Sequence, residues 1–232
     1  MKNPMTNPHY EFLLSPLYDA HRLDHRVHVE DLCKSGLTDA TVRLQRISDV
    51  PPHMINLLLG FSTPRVTSAY LIPFPDPRGG WIDHVRMKIF PPDTSKKGGT
   101  TKYLQPKNSG QRIFFPLATL DAVLHSTEPL YLVEGEKKAL SVAQLGLPTI
   151  GICGIEGWHA AGARDLHRDL DHVALRGRVV NVIPDSDVRT NAAVNRAVQG
   201  LAQALGARGA HAKLVLVPAT CKGIDDYLAA SA

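Results

Sequence analysis

The residues most suggestive of chemistry are two carboxylates, Asp185 and Asp187, in the stretch IPDSD (183–187). On an extended chain, side chains two residues apart point to the same side. Two negative charges held this close resist ionisation unless a cation lies near both of them. Mg²⁺ prefers oxygen ligands and is commonly held by one or two carboxylates together with substrate phosphates. The pair indicates a divalent-metal site or, alternatively, two loop aspartates that prepare a turn and cap a helix.

The elements around these aspartates would place them at the end of a strand. Residues 179–183 form a short apolar, largely β-branched run that predicts a buried strand. From Asn191 onwards the apolar residues fall at helical spacing until Gly206. A third acid, Glu134, ends another apolar run, LYLVE (130–134), and a helical pattern follows it. The sequence therefore predicts three acids at the carboxyl ends of strands.

From residue 128 the chain alternates between predicted strands and helices. The predicted strands are LYLVE (130–134), TIGICG (149–154), RVVNVIPD (178–185) and AKLVLVP (212–218). The predicted helices are EKKALSVAQLG (136–146), HAAGARDLHRDL (159–170), the segment after Asn191 and IDDYLAA (224–230). Such alternation predicts an α/β fold with a parallel sheet and helices on both faces. Ligands of these sheets gather at the carboxyl ends of the strands, where the three acids are expected to converge.

The first 125 residues are irregular and rich in proline, and we assign them to a smaller α+β region ahead of a domain over 126–232. HVEDLCKSGLTDATVRLQRI (28–47) predicts two helices around a Ser-Gly turn, the second capped near Thr38. SAYLIPFPD and GGWIDHVRMKIF predict a hairpin that turns at 76–80, and GQRIFFP (110–116) predicts a further short strand. His21, His25 and His28 have helical spacing, and we interpret them as surface histidines.

Composition describes a globular protein of mildly basic character, with 232 residues, a net charge of +4 and a pI near 9.0. No apolar run approaches the length of a membrane span, and the N-terminus does not resemble a signal peptide. Three scattered cysteines predict a reducing, cytoplasmic setting. Positive charge concentrates between Arg86 and Arg112, where seven basic residues accompany a single acid. This basic segment, which we expect to be partly a mobile loop, could contact nucleic-acid phosphates or could simply be solvated.

Four motifs in order carry a resemblance to a known family. VEGEKKAL (133–140) and IPDSD resemble the Glu-Gly and Asp-x-Asp motifs of the Toprim domain in DnaG-type primases, topoisomerases and related nucleases. KGIDDYL (222–228) and KYLQPKNSGQRIFFP (102–116) are similar to segments that close and precede that domain in bacterial primases. The chain most resembles an uncharacterised Toprim-like family of phage and plasmid replication proteins, often fused to helicases. The resemblance covers roughly residues 100 to 230.

The resemblance implies a metal-dependent site for phosphoryl chemistry. Glu134, Asp185 and Asp187 would hold Mg²⁺ or Mn²⁺, with Glu134 also able to act as a general acid or base. Neutralising Asp185 would then relieve repulsion in the metal-free site. The residues expected to contact phosphate or nucleic acid are Lys137, Lys138, Lys102, Lys107, Arg112 and Lys222, and Asp225 is a possible accessory acid. Lys137 and Lys138 could equally form an exposed first helical turn.

Two positions depart from the pattern of bacterial primases. Lys138 stands where those primases have an aspartate, and Gly223 replaces the first acid of the terminal segment. The expected function is primer synthesis on single-stranded DNA from nucleoside triphosphates, and a replicative helicase is a candidate partner. The alternatives are a Toprim nuclease that hydrolyses phosphodiesters and a non-catalytic nucleic-acid-binding module of a replication or defence complex. No membrane partner is expected.

Overall fold

The computed structural model describes residues 8–20, 22–94, 99–160, 162–163 and 165–231. Two compact units make up the chain. Unit 1 comprises Met1–Asp31, Val42–Phe74 and Trp81–Gly110, and unit 2 comprises Leu32–Thr41, Pro75–Gly80 and Gln111–Ala232. Unit 2 therefore takes in two short early segments besides the C-terminal half. The boundary that we placed between residues 125 and 126 stays a prediction.

The N-terminal half combines short helices with an antiparallel sheet. In chain order its elements are α1 (Pro8–Ala20), α2 (Arg26–Cys33), α3 (Asp39–Leu44), β1 (Ser48–Val50), α4 (Pro52–Leu59), β2 (Ser68–Pro75), β3 (Trp81–Thr94) and β4 (Thr100–Leu104). The two helices predicted within 28–47 are present, and the Thr38 hydroxyl accepts the Thr41 amide at 3.2 Å, as a helix cap does. The strand order is β1-β2-β3-β4, so the predicted hairpin is also present.

The described part of the basic segment contains two paired strands. β3 and β4 are antiparallel, with Met87 opposite Leu104 and Thr94 opposite Thr100. Residues 95–98 lie outside the described residues, so the expectation of a partly mobile loop stays a prediction. The register shifts between Lys88 and Asp93, which marks a local irregularity in the ladder. Most of the described segment is therefore sheet. Lys96 and Lys97 lie outside the described residues.

Unit 2 contains the parallel sheet that the alternating pattern predicted. Its strands are β5 (Leu130–Glu134), β6 (Thr149–Ile152), β7 (Val179–Ile183) and β8 (His211–Leu214), in the order β6-β5-β7-β8 with every pair parallel. The flanking helices are α5 (Leu120–His125), α6 (Glu136–Ala143), α7 (Ala192–Ala207) and α8 (Ile224–Ser231). The predicted α/β fold class is confirmed.

The core of unit 2 follows the predicted periodicity. Leu132 of β5 and Val182 of β7 are buried in one apolar cluster with Leu201 and Leu205, which lie one turn apart on α7. Burying side chains of this size contributes about 1.5–3 kcal/mol each relative to leaving them exposed. Within the described residues, no helix is long and apolar enough to cross a membrane.

Two predicted elements of unit 2 are wrong. The described residues of HAAGARDLHRDL (159–170) do not form a helix, and the regular structure that follows is a short 3-10 turn at Arg168–His172. Gly162 has φ of 77°, and His167 begins the turn by accepting the Asp169 amide at 3.1 Å, so the regular structure starts late. The strand predicted at 110–116 reduces to an isolated bridge between Phe114 and Gly151.

Candidate active site

The three acids predicted as a site lie at the carboxyl edge of the parallel sheet, where Glu134 ends β5 and the two aspartates follow β7. β5 and β7 are neighbours in register, with Val133 opposite Ile183, so Glu134 and Asp185 leave the sheet at the same edge. Asp187 follows within a short 3-10 turn, Ser186–Arg189. Glu134 and Asp185 are half-buried, whereas Asp187 is exposed. The sheet topology therefore brings the carboxylates to one edge.

Gly135 makes the sharp step from Glu134 into α6. Its φ is 99°, a left-handed conformation that side chains disfavour, and it occupies the cap position of the helix. Its amide donates to the Ile152 carbonyl at 2.8 Å, while its own carbonyl accepts from Ala139 at 3.1 Å. The Glu-Gly pair thus turns the chain from strand to helix within one residue, which holds Glu134 at the sheet edge.

The aspartates do not serve as helix caps, which was the alternative explanation for the pair. The Asp185 side chain makes no cap hydrogen bond to the turn that it precedes. The start of α7 is instead capped by Asn191, whose side chain accepts from the amides of Ala193 and Val194 at 3.0 and 3.4 Å. Asn191, rather than either aspartate, therefore caps α7.

Lys138 supplies a cation next to these acids. Its ammonium forms an ion pair with Asp185, and the two side chains are only 19% and 14% exposed. Since Lys138 follows Glu134 by four residues, one turn of α6 carries it back over the sheet edge. The expectation that neutralising Asp185 would relieve repulsion therefore needs correction, because Asp185 already has a positively charged partner. The neighbouring Lys137 is half-buried.

The electrostatics of Glu134 show that the charges of the site act on one another. Burial raises the pKa of the Glu134 carboxyl, and the negative charges of Asp185 and Asp187 raise it further. The ammonium groups of Lys138 and Lys222 act in the opposite direction. Glu134 therefore keeps its proton to a higher pH than an ordinary glutamate, which is a property of residues that exchange protons during catalysis.

The donor set suits a divalent metal, although it is not a closed cage. Among the described residues, no group of three or more His, Cys, Asp or Glu side chains converges closely enough to enclose an ion. Mg²⁺ does not require such a cage, because one or two carboxylates and substrate phosphates are its usual ligands. Asp187 and Glu134 offer carboxylate oxygens at the sheet edge, which is the ligand chemistry that Mg²⁺ and Mn²⁺ prefer.

The terminal segment KGIDDYL (222–228) lies next to this edge, but its two aspartates do not have the role that we expected. The Lys222 carbonyl accepts the Ser186 amide at 2.9 Å, which ties the segment to the Asp-x-Asp turn. Asp225 is buried and accepts from the Ser35 hydroxyl at 2.8 Å, so the proposed accessory acid already has an interior partner. Asp226 accepts the amides of Lys222 and Gly223 at 3.1 and 3.0 Å.

The basic residues of the segment 86–112 differ in their availability. Lys102 and Lys107 are exposed, as a phosphate contact requires. Lys88 is buried and pairs with Asp31 at 3.2 Å, so it does not face solvent as the sequence suggested. In unit 2, Arg112 donates to both carboxylate oxygens of Asp169, at 2.8 and 2.9 Å. Because Arg112 is already paired with a buried carboxylate, we leave it out of the proposed nucleic-acid contacts.

Unit 1 contains a polar network that the sequence did not reveal. His28 is buried rather than on the surface, and its ring nitrogens lie 2.6 Å from Asp49 and 3.0 Å from Ser68. Burial lowers the pKa of His28, and the Asp49 carboxylate opposes that change. The network lines a cleft of about 540 Å³. His25 is exposed as predicted, whereas His21 lies outside the described residues.

Comparison with solved structures shows which fold this chain has. The zinc-binding and RNA polymerase domains of the Aquifex aeolicus primase match 97% of the chain with a TM-score of 0.67 at 15% identity. A DnaG primase catalytic domain bound to single-stranded DNA matches 97% with a TM-score of 0.60 at 17% identity. The fold is that of a primase catalytic domain. The RNA polymerase domain of Mycobacterium tuberculosis DnaG also matches, with 95% coverage, a TM-score of 0.59 and 14% identity.

This chain covers only part of each of these solved structures. This chain spans 59% of the Aquifex aeolicus structure, 79% of the single-stranded DNA complex and 78% of the Mycobacterium tuberculosis domain. A family model described as a domain of unknown function (DUF3854) matches residues 120–232, slightly less than half of the chain. No functionally curated protein matches the sequence.

Proposed function

We propose that this protein is a primase-like nucleotidyltransferase that synthesises primers on single-stranded DNA, using nucleoside triphosphates and Mg²⁺ or Mn²⁺. The observation that carries the proposal is the location of Glu134, Asp185 and Asp187 at the carboxyl edge of a sheet with primase topology. A setting in phage or plasmid replication, beside a replicative helicase, is the biological context that the sequence motifs favour.

The reaction joins two nucleotides through a phosphodiester. The 3′-hydroxyl oxygen of one nucleotide forms a bond to the α-phosphorus of a triphosphate, the bond to pyrophosphate breaks, and the hydroxyl proton passes to a base. Glu134, whose pKa burial raises, is the acceptor of that proton at the sheet edge. Lys137 and Lys222 would hold phosphate oxygens, since ammonium groups bind them as point charges.

Metal binding would fall to the carboxylates of the same edge. Asp187 and Glu134 would hold the divalent ion, with Asp185 alongside. When bound, the ion neutralises charge that develops on the attacking and leaving oxygens. The contribution of the protein chain is to present these oxygens from rigid strand ends, so that they need little reorganisation when substrate arrives.

Single-stranded DNA would bind along the exposed lysines of unit 1. Replacing Lys102 and Lys107 together by Gln removes two phosphate contacts. The slope of log affinity against log salt concentration should then fall by about 1.4, at about 0.7 per contact for single strands. Fluorescence anisotropy at several salt concentrations measures this slope. A double variant of two exposed lysines elsewhere, Lys34→Gln with Lys213→Gln, should keep the parental slope, and an equal fall in both variants would refute a specific role for the segment.

One assay separates the proposed activity from its alternatives. The chain is incubated with single-stranded DNA, labelled nucleoside triphosphates and Mg²⁺ or Mn²⁺, and products are scored for both extension and cleavage. Extended products support the primase-like proposal, whereas shortened DNA without extension would identify a nuclease. Binding of DNA without either product would overturn both enzymatic proposals and leave the nucleic-acid-binding module, which the Lys138–Asp185 pair favours because it neutralises one acid of the site.

A further inference from the structure

The carboxyl edge of the unit 2 sheet, where Glu134, Asp185 and Asp187 lie, contains its own cation. We call this edge the acid edge. The Lys138 ammonium contacts one carboxylate oxygen of Asp185, and both side chains are more than four-fifths shielded from solvent. Two aspartates separated by a single residue call for a positive charge near them. Lys138 supplies such a charge from within the chain, at the position where a bound metal ion would otherwise balance Asp185.

The neighbouring loop leaves space for this lysine. A Cβ atom added at Gly223 would lie 2.5 Å from Cε and 3.2 Å from Cδ of Lys138, and 2.9 Å from an Asp225 oxygen. Contacts below 3.0 Å require movement of one partner. The Gly223 amide is held by Asp226 at 3.0 Å, so displacement would fall on the side chains of Lys138, which is the closer, and Asp225. Glycine at position 223 therefore allows the Lys138 side chain to extend across the loop to Asp185.

We infer that Lys138 is a built-in counter-cation that takes the place of one divalent metal ion at Asp185. An ammonium and a metal ion repel each other and compete for the same carboxylate oxygen. The acid edge therefore accepts no more than one divalent ion, at Asp187 and Glu134. The remaining N–H donors of Lys138 can contact an oxygen of a substrate phosphate. This inference rests on the proposed function and assigns the cations of that same site.

Counting bound metal ions tests the inference without an activity assay. Mn²⁺ is titrated into the full chain without nucleotide, and free Mn²⁺ is measured by electron paramagnetic resonance. The parent should bind at most one ion. Lys138→Met, which keeps the length and removes the charge, should bind one additional ion or bind Mn²⁺ at least tenfold more tightly. Lys213→Met removes an exposed lysine of the same unit and should match the parent.

A second variant moves the lysine without deleting its charge. Gly223→Ala places a methyl group against Lys138 and should raise Mn²⁺ affinity in the same direction as Lys138→Met. It also provides a test if Lys138→Met does not fold. In thermal melts, Lys138→Met should be less stable than the parent in EDTA, because Asp185 loses its partner, and Mn²⁺ should restore more of its stability than it adds to the parent.

The outcomes also separate this inference from the proposed function. Unchanged Mn²⁺ number and affinity in both variants would overturn the counter-cation role, even if the parent extends primers. If the parent binds no Mn²⁺ and Lys138→Met binds one ion, the counter-cation role is supported while metal-dependent transfer by the parent is refuted.

Discussion

An Asp187→Asn variant is expected to lose nucleotidyl transfer by about 10³-fold, equivalent to about 4 kcal/mol of transition-state stabilisation. Asparagine keeps the shape of the side chain but removes the charge that attracts a divalent ion. Asp187 is exposed and Asn191 caps the following helix, so the fold should lose no more than about 0.5 kcal/mol. Primer extension and thermal melts of the same preparations measure the two effects separately.

The control for Asp187 is the same chemical change at another exposed acid of unit 2. Asp121 lies on α5 with its side chain 97% exposed, and Asp121→Asn should retain parental activity. In melts, Mg²⁺ should stabilise the parent and Asp121→Asn but not Asp187→Asn. Equal stabilisation of all three proteins by Mg²⁺ would show that Asp187 is not a metal ligand. Asp185 is a less suitable target, since its neutralisation also removes the partner of Lys138.

The largest effect on stability is expected from Arg112→Met. Asp169 is a buried carboxylate whose two oxygens accept from Arg112, and it also accepts the Ile113 amide at 3.1 Å. Removing one member of a buried ion pair typically costs about 3–5 kcal/mol of unfolding free energy. Because His167 also lies 3.2 Å from the Asp169 carboxylate, we expect a loss at the lower end of this range. Urea unfolding at pH 7 measures this loss. Arg208→Met, which removes a more exposed guanidinium paired with Asp165 and Asp171, should cost less than about 1 kcal/mol.

The same pair predicts how stability depends on pH. Burial would raise the pKa of Asp169, but the neighbouring His167 and Arg112 side chains hold it well below the ordinary value. A depressed pKa contributes stability above the unfolded-state pKa of about 3.9, and this contribution is lost as pH falls towards the folded-state pKa. The parent should therefore lose more stability than Arg112→Met between pH 6 and pH 3. A parallel loss in both proteins would show that Asp169 owes its low pKa to other groups.

The sequence by itself determined the local elements of unit 2 and the acids that end them. The apolar runs at 130–134 and 179–183 are strands with almost the predicted bounds, because burial on both faces of a parallel sheet requires continuous apolar side chains. Glycine follows Glu134 in the sequence, and in the structure Gly135 makes the turn from β5 into α6. These features depend on neighbours within a few residues, which a sequence pattern records directly.

The segment 159–170 shows where local pattern was insufficient. Its composition favoured a helix, yet Leu166 and Leu170 are buried in the core from an irregular segment and a short 3-10 turn. In a helix, these two leucines would point in directions set by the 3.6-residue repeat. Their contacts in the core outweigh the intrinsic helix propensity, which is worth less than about 1 kcal/mol per residue.

Only the tertiary structure decided which charges meet. Lys138 pairs with Asp185 across 47 residues of sequence, and Arg112 pairs with Asp169 across 57. His28 bonds to Asp49 and Ser68, 21 and 40 residues away, and no spacing in the sequence marks them as partners. Hydrogen bonds and ion pairs act over a few ångströms in space, whereas periodicity reports only the direction of each side chain. The acids of the site could therefore be located from the sequence, but the lysine that neutralises Asp185 could be paired with it only after the sheet had brought the two segments together.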